Sequence, residues 1–191
     1  MENKEQIRER MKRLRRQLTR EMILENSRRI TERITGAPFY RDSSFLCIYL
    51  SAFREPDTSF LISRAFADGK RVCVPITDRA NHSLSLSEIL PGDGFVKGAY
   101  GIREPERLRP VPADVWELAV IPGLAFSAVG GRVGFGEGYY DRLLAGSGGV
   151  KAGICHGFQL LKEITTQPHD AVMDWIITEG TVIDCGKNKT I

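Results

Sequence analysis

A glycine-rich segment over residues 120–144, VIPGLAFSAVGGRVGFGEGYYDRLL, holds the residue types best suited to chemistry. Five of its glycines fall within nine residues, at positions 130, 131, 134, 136 and 138. Glycine permits positive φ angles and lets a backbone approach a ligand closely. Successive N–H groups in such a loop form an anion-binding nest, and the helix predicted to follow would point its positive end at the same anion. The segment therefore predicts a phosphate site.

The residues directly after the glycines add groups that suit a nucleotide. Tyr139 and Tyr140 supply two aromatic rings, Asp141 a carboxylate and Arg142 a guanidinium. Because a carboxylate beside phosphates is repelled unless a cation joins them, Asp141 indicates Mg²⁺. The alternative interpretation is a glycine-rich turn built for packing, which these four residues make less favoured.

Standard nucleotide motifs do not explain the segment. The GxxxxGK[ST] pattern of a phosphate-binding loop is absent from the chain. Residues 134–139 read GxGxGY rather than GxGxxG, so the register of a dinucleotide-binding fold is wrong. No HExxH pattern and no CxxC pair is present either, which argues against a zinc site.

The rest of the composition is that of an ordinary globular protein. The 191 residues are 42% hydrophobic and 27% charged, which predicts one domain over residues 1–191. No apolar run approaches the roughly 20 residues of a membrane-spanning helix, and no apolar segment of a signal peptide follows the charged start. We expect a cytoplasmic protein whose four cysteines are buried and reduced.

The first 33 residues carry most of the basic character. They hold 11 Lys and Arg against 6 Asp and Glu, a net charge of +5, and the remaining chain has a net charge of −2. Ile7, Met11, Leu14 and Leu18 recur at helical spacing, and a second helix is predicted between Thr19 as its N-cap and Gly36. We expect a basic helical face made by Lys12, Arg13, Arg15, Arg16 and Arg20.

Beyond this leader, strand and helix patterns alternate. Strands are predicted over residues 45–50, 71–76, 84–90, 118–121, 150–155 and 175–178, the last as the final strand. Helices are predicted over residues 58–67 (with Asp57 as N-cap), 139–145 and 158–164, and residues 91–114 read as a long irregular loop. The alternation predicts a three-layer α/β/α sandwich with a mostly parallel central sheet and an N-terminal helical leader.

Ligands bind such sheets at the carboxyl ends of their strands. Four suggestive segments fall there, at residues 51–57, 75–79, 122–141 and 156–159. The glycine-rich segment is one of them, so the predicted fold places it where a ligand would bind.

The pattern Arg132-x-Gly134-x-Gly136-x-Gly138-Tyr139-Tyr140-Asp141-Arg142 resembles the signature of the 5-formyltetrahydrofolate cyclo-ligase family. The resemblance covers essentially the whole chain and departs from many relatives at the variable positions Phe135 and Glu137. Five further motifs match in the same order: Lys4-x-x-x-Arg8, residues 50–55, Gly101-Ile102-x-Glu104-Pro105, Pro122-Gly123-x-x-Phe126, and Pro168-His169-Asp170 with Asp174.

The resemblance implies an enzyme that uses ATP and Mg²⁺ to convert 5-formyltetrahydrofolate into 5,10-methenyltetrahydrofolate through an iminium phosphate, releasing ADP and phosphate. We expect a monomer with these small-molecule substrates and no nucleic acid or membrane partner. By resemblance, catalysis falls to Arg132, Tyr139 and Asp141, and Mg²⁺ to Asp141 and Asp170. Folate would contact Leu50, Glu55 and Tyr139, and ATP would contact Lys4, Arg8, Arg132, Gly134, Phe135, Gly136, Glu137, Gly138, Tyr139 and Tyr140.

Two other function classes remain open at this point. The first is an α/β protein that handles a sugar phosphate or an acyl-CoA, because the layered fold is shared and fold does not fix function. The second is a nucleic-acid binder that uses the basic leader. The pI of about 8.7 and the scarcity of aromatic residues in the leader disfavour it.

Overall fold

The helices begin and end at signals written in the sequence. The computed structural model describes residues 2–187, and Asn3 caps the first helix by accepting a hydrogen bond from the Gln6 N–H at 2.9 Å. Thr19 caps the second helix as predicted, and Gly36 ends it. The helices are α1 Lys4–Arg16, α2 Arg20–Thr35, α3 Pro38–Arg41, α4 Ser59–Ala67 and α5 Tyr139–Leu144.

The strands are short and mostly apolar, as buried parallel strands are. They are β1 Phe45–Ile48, β2 Arg71–Asp78, β3 Ser83–Ile89, β4 Phe95–Lys97, β5 Arg103–Pro105, β6 Pro110–Val111, β7 Leu118–Ile121, β8 Ala125–Ser127, β9 Arg132–Val133, β10 Val150–Ile154, β11 Leu160–Leu161, β12 Trp175–Ile177 and β13 Val182–Asp184. Eight of them form the main sheet in the order β13-β12-β10-β7-β1-β2-β3-β6.

This sheet confirms the predicted α/β class. Strands β12, β10, β7, β1 and β2 run parallel to one another. Strands β13, β3 and β6 are antiparallel to their neighbours and lie at the two edges. The parallel centre places the carboxyl ends of β1, β2 and β7 side by side, and the loops that follow them converge there.

Side chains alternate between two cores, one on each face of the sheet. Leu46 and Ile48 of β1 join the core beneath α2, α3 and α4. Phe45 and Cys47 join the other core with Leu143 and Leu144. The second outer layer holds the short helix α5 and a three-stranded sheet in the order β11-β8-β9. It is therefore a mixed layer rather than a layer of long helices.

The leader packs on this small sheet as its apolar stripe predicts. Ile7 and Met11 of α1 are buried with Ala125 of β8 and Val133 of β9, and Leu14 packs against the same cluster. All four cysteines are buried, as expected. Within residues 2–187, no helix has the length and apolar character needed to cross a membrane.

Glycines shape the centre of the second outer layer. The ring of Phe126 on β8 fills the space that two glycines leave open. A Cβ added at Gly123 would lie 2.6 Å from the ring, and one at Gly153 would lie 2.4 Å from it. The pattern Gly123-x-x-Phe126 thus reflects a close contact between the backbone at Gly123 and the ring of Phe126.

Four details of the predicted elements are wrong. Residues 158–164 form a 3₁₀ turn (Gly157–Gln159) and strand β11 rather than a helix, because Leu160 pairs with Phe126 of β8. The strand β13 follows the one predicted to be last. Residues 91–114 contain the hairpin β4–β5 and strand β6. Thr58 occupies the N-cap of α4, although Asp57 accepts the Ser59 N–H at 2.9 Å.

Candidate active site

One cavity of about 1050 Å³ opens at the carboxyl ends of β1, β2 and β7. All fourteen residues predicted for the site line it, so the fold brings them together from both ends of the chain. They are Lys4, Arg8, Leu50, Glu55, Arg132, Gly134, Phe135, Gly136, Glu137, Gly138, Tyr139, Tyr140, Asp141 and Asp170.

Three of the four predicted strand-end segments reach this cavity, and the fourth lies behind its wall. Residues 51–57, 75–79 and 122–141 each contribute lining side chains. The segment at 156–159 supports them instead, since the Gln159 side chain donates to the carbonyls of Gly123 at 3.0 Å and Leu124 at 2.8 Å. That bond fixes the backbone that leads into the glycine-rich segment.

The five glycines of that segment have two different functions. Gly130 sits in the turn between β8 and β9 with φ 89°, where a Cβ would lie 2.3 Å from the Met173 carbonyl. Its carbonyl accepts the Met173 N–H at 2.9 Å. Gly134, Gly136 and Gly138 line the cavity. The loop predicted to bind phosphate therefore begins after β9 and is shorter than the sequence predicts.

The positive charge of the site comes from side chains rather than from a helix. Helix α5 has six residues, so its dipole contributes little. Lys4 and Arg8 lie one turn apart on α1 and face the cavity together. Arg8 Nε donates to the Gly134 carbonyl at 3.0 Å, which ties the leader to the glycine loop.

Two ion pairs hold the carboxylates predicted to bind the metal. Lys4 Nζ lies 2.5 Å from Asp170 Oδ2, and Arg132 Nη2 lies 2.8 Å from Asp141 Oδ1. Burial opposes ionisation of Asp170, but the hydrogen bonds from Lys4 and from the Gln167 N–H leave its pKa below the usual value. Both carboxylates are therefore paired with the cations predicted to bind phosphates.

These carboxylates fit a magnesium ion. The Ala171 N–H donates to Asp141 Oδ1 at 3.1 Å, which places Asp141 beside Asp170. Among the described residues no cluster of three or more His, Cys, Asp or Glu side chains could hold a metal without substrate. One or two carboxylates completed by phosphate oxygens is the arrangement that Mg²⁺ commonly takes in nucleotide sites.

Another end of the cavity is lined by a buried carboxylate. Glu55 is 7% exposed, and its Oε2 accepts the Ala52 N–H at 3.0 Å. Burial raises the pKa of Glu55, and Arg15 opposes that rise. Leu50, only 6% exposed, forms an apolar wall beside it. This end suits a planar group with N–H donors along one edge.

Aromatic side chains that the sequence analysis missed form the mouth. Phe53 and Tyr100 are about half exposed, and both adopt positive φ angles, 48° and 54°. Phe53 lies 5.7 Å from the Phe135 ring, and the Tyr100 hydroxyl lies 3.4 Å from that of Tyr139. The motif Gly101-Ile102 directly after Tyr100 was the available signal for this wall.

Comparison with known proteins gives relatives of one kind. A probable 5-formyltetrahydrofolate cyclo-ligase of Caenorhabditis elegans is 27% identical over 95% of both chains. The 5-formyltetrahydrofolate cyclo-ligase of Mycolicibacterium smegmatis is 31% identical over 70% of this chain and 72% of its own.

Solved structures agree with the sequence relatives. The 5,10-methenyltetrahydrofolate synthetase of Aquifex aeolicus superposes with a TM-score of 0.85 at 26% identity, over 98% of this chain and 95% of that one. The family model described as the 5-formyltetrahydrofolate cyclo-ligase family matches residues 1–179. The chain therefore belongs to the 5-formyltetrahydrofolate cyclo-ligase family.

Proposed function

We propose that this protein uses ATP, with Mg²⁺, to close 5-formyltetrahydrofolate into 5,10-methenyltetrahydrofolate, releasing ADP and phosphate. The observation that carries the proposal is that one cavity is lined both by the cations Lys4, Arg8 and Arg132 and by the buried carboxylate of Glu55. Its volume of about 1050 Å³ lies at the upper limit for pockets that hold one drug-sized ligand. Two substrates that must react with each other need such room.

The chemistry begins at a poor electrophile. The formyl group on N5 is an amide-like carbonyl, and its oxygen becomes a leaving group only after activation. In the first step the formyl oxygen attacks the γ-phosphorus, the bond from that phosphorus to the bridging oxygen breaks, and ADP leaves. The intermediate is an iminium phosphate, in which the formyl carbon is bound to N5 and to a phosphate oxygen.

The ring closes in the second step. N10 attacks the formyl carbon and loses its proton, the carbon–oxygen bond to phosphate breaks, and phosphate departs. Neither step needs a protein nucleophile, because phosphoryl transfer depends mainly on positioning and charge neutralisation. The described lining residues agree, since they include no serine or cysteine.

The nucleotide end is assigned by charge. Lys4, Arg8 and Arg132 supply three cations around the loop of Gly134, Phe135, Gly136, Glu137 and Gly138. Asp141 and Asp170 would hold Mg²⁺, which supplies charge neutralisation on the phosphates. Because each carboxylate is paired with a cation in the free protein, binding of the triphosphate would draw those cations away and free carboxylate oxygens. Tyr139 and Tyr140 would flank the nucleotide.

The folate end is assigned by hydrogen-bonding capacity. The pterin edge presents N–H donors, and the carboxylate of Glu55 is an acceptor that faces the cavity. Leu50 would contact the ring face, and Tyr139 would lie between the two substrates. Phe135, assigned to the nucleotide, lies 5.7 Å from the Phe53 ring.

The test is a direct assay of product. Purified protein with Mg·ATP and 5-formyltetrahydrofolate should produce the near-ultraviolet absorbance of the methenyl product together with stoichiometric ADP. Omitting ATP, or adding EDTA, should remove the signal. ATP hydrolysis without methenyl product, or equal turnover of a sugar phosphate, would overturn the assignment.

No observation favours the two other function classes. The basic helical face expected for a nucleic-acid binder is broken, because Arg15 is buried and Lys12 pairs with Glu9. A sugar-phosphate or acyl-CoA site would not need the buried carboxylate at the far end of the cavity. Cytoplasmic location and a monomeric state remain part of the proposal.

A further inference from the structure

Arg15 is a buried charge that the proposed mechanism does not use. It lies on α1, is 2% exposed, and points inward rather than along the basic face that the sequence predicts for it. None of its three guanidinium nitrogens makes a hydrogen bond to any described residue. Its ion-pair partner among residues 2–187 is Glu55, with Nη2 3.5 Å from Oε1. A buried guanidinium is costly unless an anion offsets it.

The nearest titratable neighbours of the pair are neutral, and the carboxylate of Glu179 lies beyond two of them, where it accepts the Gly157 N–H at 2.9 Å. The titratable side chains that face it come from the end of β1, from α5 and from the segment after β10. Burial raises the pKa values of Tyr49, Tyr140 and Cys155 and lowers that of His156, so all four are neutral near pH 7. Within the described chain, Arg15 is thus the close charge that favours the ionised form of Glu55.

The loop that carries Glu55 is strained and fastened to the helical leader. Phe53 and Arg54 both have positive φ, 48° and 60°, which non-glycine residues keep only when their surroundings enforce it. Arg54 Nη1 donates to the Leu18 carbonyl, between α1 and α2. The Asp57 N–H donates to Ser27 Oγ of α2 at 2.7 Å. The leader therefore sets both the place and the charge of Glu55.

We infer that Arg15 is a positioning residue, which keeps Glu55 ionised and aimed into the cavity so that the carboxylate accepts N–H groups from the pterin edge of the substrate. The inference rests on the proposed function, because it names the support of the folate end of that site. Glu55 Oε1 lies toward Arg15 and Oε2 toward the Ala52 N–H. Both oxygens keep lone pairs for a ligand.

The test is the pH dependence of folate binding without turnover. Dissociation constants of 5-formyltetrahydrofolate are measured between pH 5 and 9 for the wild type, Arg15→Met, Arg15→Lys and Arg16→Met. Removing a cation beside a carboxylate moves its titration up by about one to three pH units. Arg15→Met should therefore move the pH midpoint of folate binding upward by that amount, so that binding weakens near neutral pH and recovers at alkaline pH.

The matched variants separate this role from a structural one. Arg15→Lys should restore part of the wild-type midpoint, and the exposed Arg16→Met should leave it unchanged. ATP-analogue binding should stay within about twofold in all variants, because Arg15 does not line the nucleotide end. In a Glu55→Gln background, Arg15→Met should have no further effect on folate affinity.

The outcomes are distinguishable. If the wild type binds folate and Arg15→Met shows the same pH midpoint, the role of Arg15 is overturned and the proposed function stands. A pH-independent loss of both folate and nucleotide binding would also overturn it, since that result marks general damage. Should Arg15→Met not fold, Arg15→Lys and the uncharged double variant carry the same comparison. Absence of folate binding by the wild type would remove the proposed function itself.

Discussion

At the scale of single residues, the charged side chains of the site form ion pairs with one another in the free protein. Asp141 pairs with Arg132, Asp170 pairs with Lys4, and Glu55 pairs with Arg15. In each pair, a carboxylate predicted to bind the metal or the folate contacts a lysine or an arginine. Such pairing offsets the charge of carboxylates in a partly buried cavity, and it makes each substitution act on two residues at once.

Asp141→Asn tests the metal assignment. The substitution removes the charge but keeps the shape, so we expect kcat to fall by at least about a hundredfold. The affinity for Mg²⁺ in the presence of an ATP analogue should fall as well. Asp174→Asn is the control, because Asp174 lies outside the cavity lining and accepts the Lys151 N–H at 2.8 Å. Equal effects of the two substitutions would contradict a metal role for Asp141.

Glu55→Gln tests the burial of an ionised carboxylate through stability. Burial raises the pKa of Glu55 in the folded protein. The contribution of this group to the free energy of unfolding is therefore complete below its pKa in the unfolded chain. It is lost as the pH rises through its pKa in the folded protein. The variant lacks this titration. The free energy of unfolding of Glu55→Gln relative to wild type should therefore increase from about pH 4.5 upward, by at most about 1.4 kcal/mol per pH unit.

Urea unfolding at successive pH values measures that difference. Glu32→Gln, at an exposed position of α2, is the control for any general effect of removing a glutamate. A difference that is flat, or that shrinks as pH rises, would show that Glu55 is not a buried carboxylate in the folded protein.

At the scale of elements, the sequence pattern correctly predicts those helices and strands that depend on residues close together in the chain. Helix α2 begins at Thr19 and ends at Gly36, because capping depends on residues within one turn. The central parallel strands were found because both of their faces are buried and their sequences read as apolar runs. The fourteen site residues were predicted by family resemblance, since no local rule brings Lys4 to Asp170.

The errors have long-range causes. Residues 158–164 have apolar spacing that a helix would also show, yet Gln159 is drawn to the carbonyls of Gly123 and Leu124, and Leu160 pairs with β8. Arg15 was placed on the basic face although it follows Ile7 and Met11 at spacings of four, on the same stripe of α1. The presence of an arginine in the apolar stripe of α1 was the available sequence signal for a buried ion pair.

Gly153→Ala tests how closely β10 and β8 are packed. The new methyl group would lie 2.4 Å from the buried Phe126 ring, so the free energy of unfolding should fall by about 1–3 kcal/mol. Gly148→Ala is the control, since a Cβ there meets nothing within 4 Å. Adding Phe126→Leu to Gly153→Ala should reduce the loss. Equal stability of the two alanine variants in urea would refute this packing.

At the scale of the whole molecule, helix α1 of the leader brings the start of the chain against site residues from its second half. Ile7 and Met11 pack α1 on the small sheet, Lys4 reaches Asp170, and Arg8 reaches the glycine loop. The same helix carries Arg15 to the folate end. One element thus contacts both predicted substrate regions, so binding at the nucleotide end should be measurable along α1.

Hydrogen exchange on the full chain tests this coupling. A non-hydrolysable ATP analogue with Mg²⁺ should slow amide exchange in Lys4–Arg16 more than in Arg20–Thr35, because Lys4 and Arg8 line the cavity and no residue of α2 does. Lys4→Ala should remove most of the added protection and raise the KM for ATP, whereas the exposed Arg13→Gln should do neither. Equal protection of both helices would indicate only the general stabilisation that any ligand gives a folded state. Protection confined to α1 would instead identify the leader as part of the nucleotide site, and its basic charge would then act on a triphosphate.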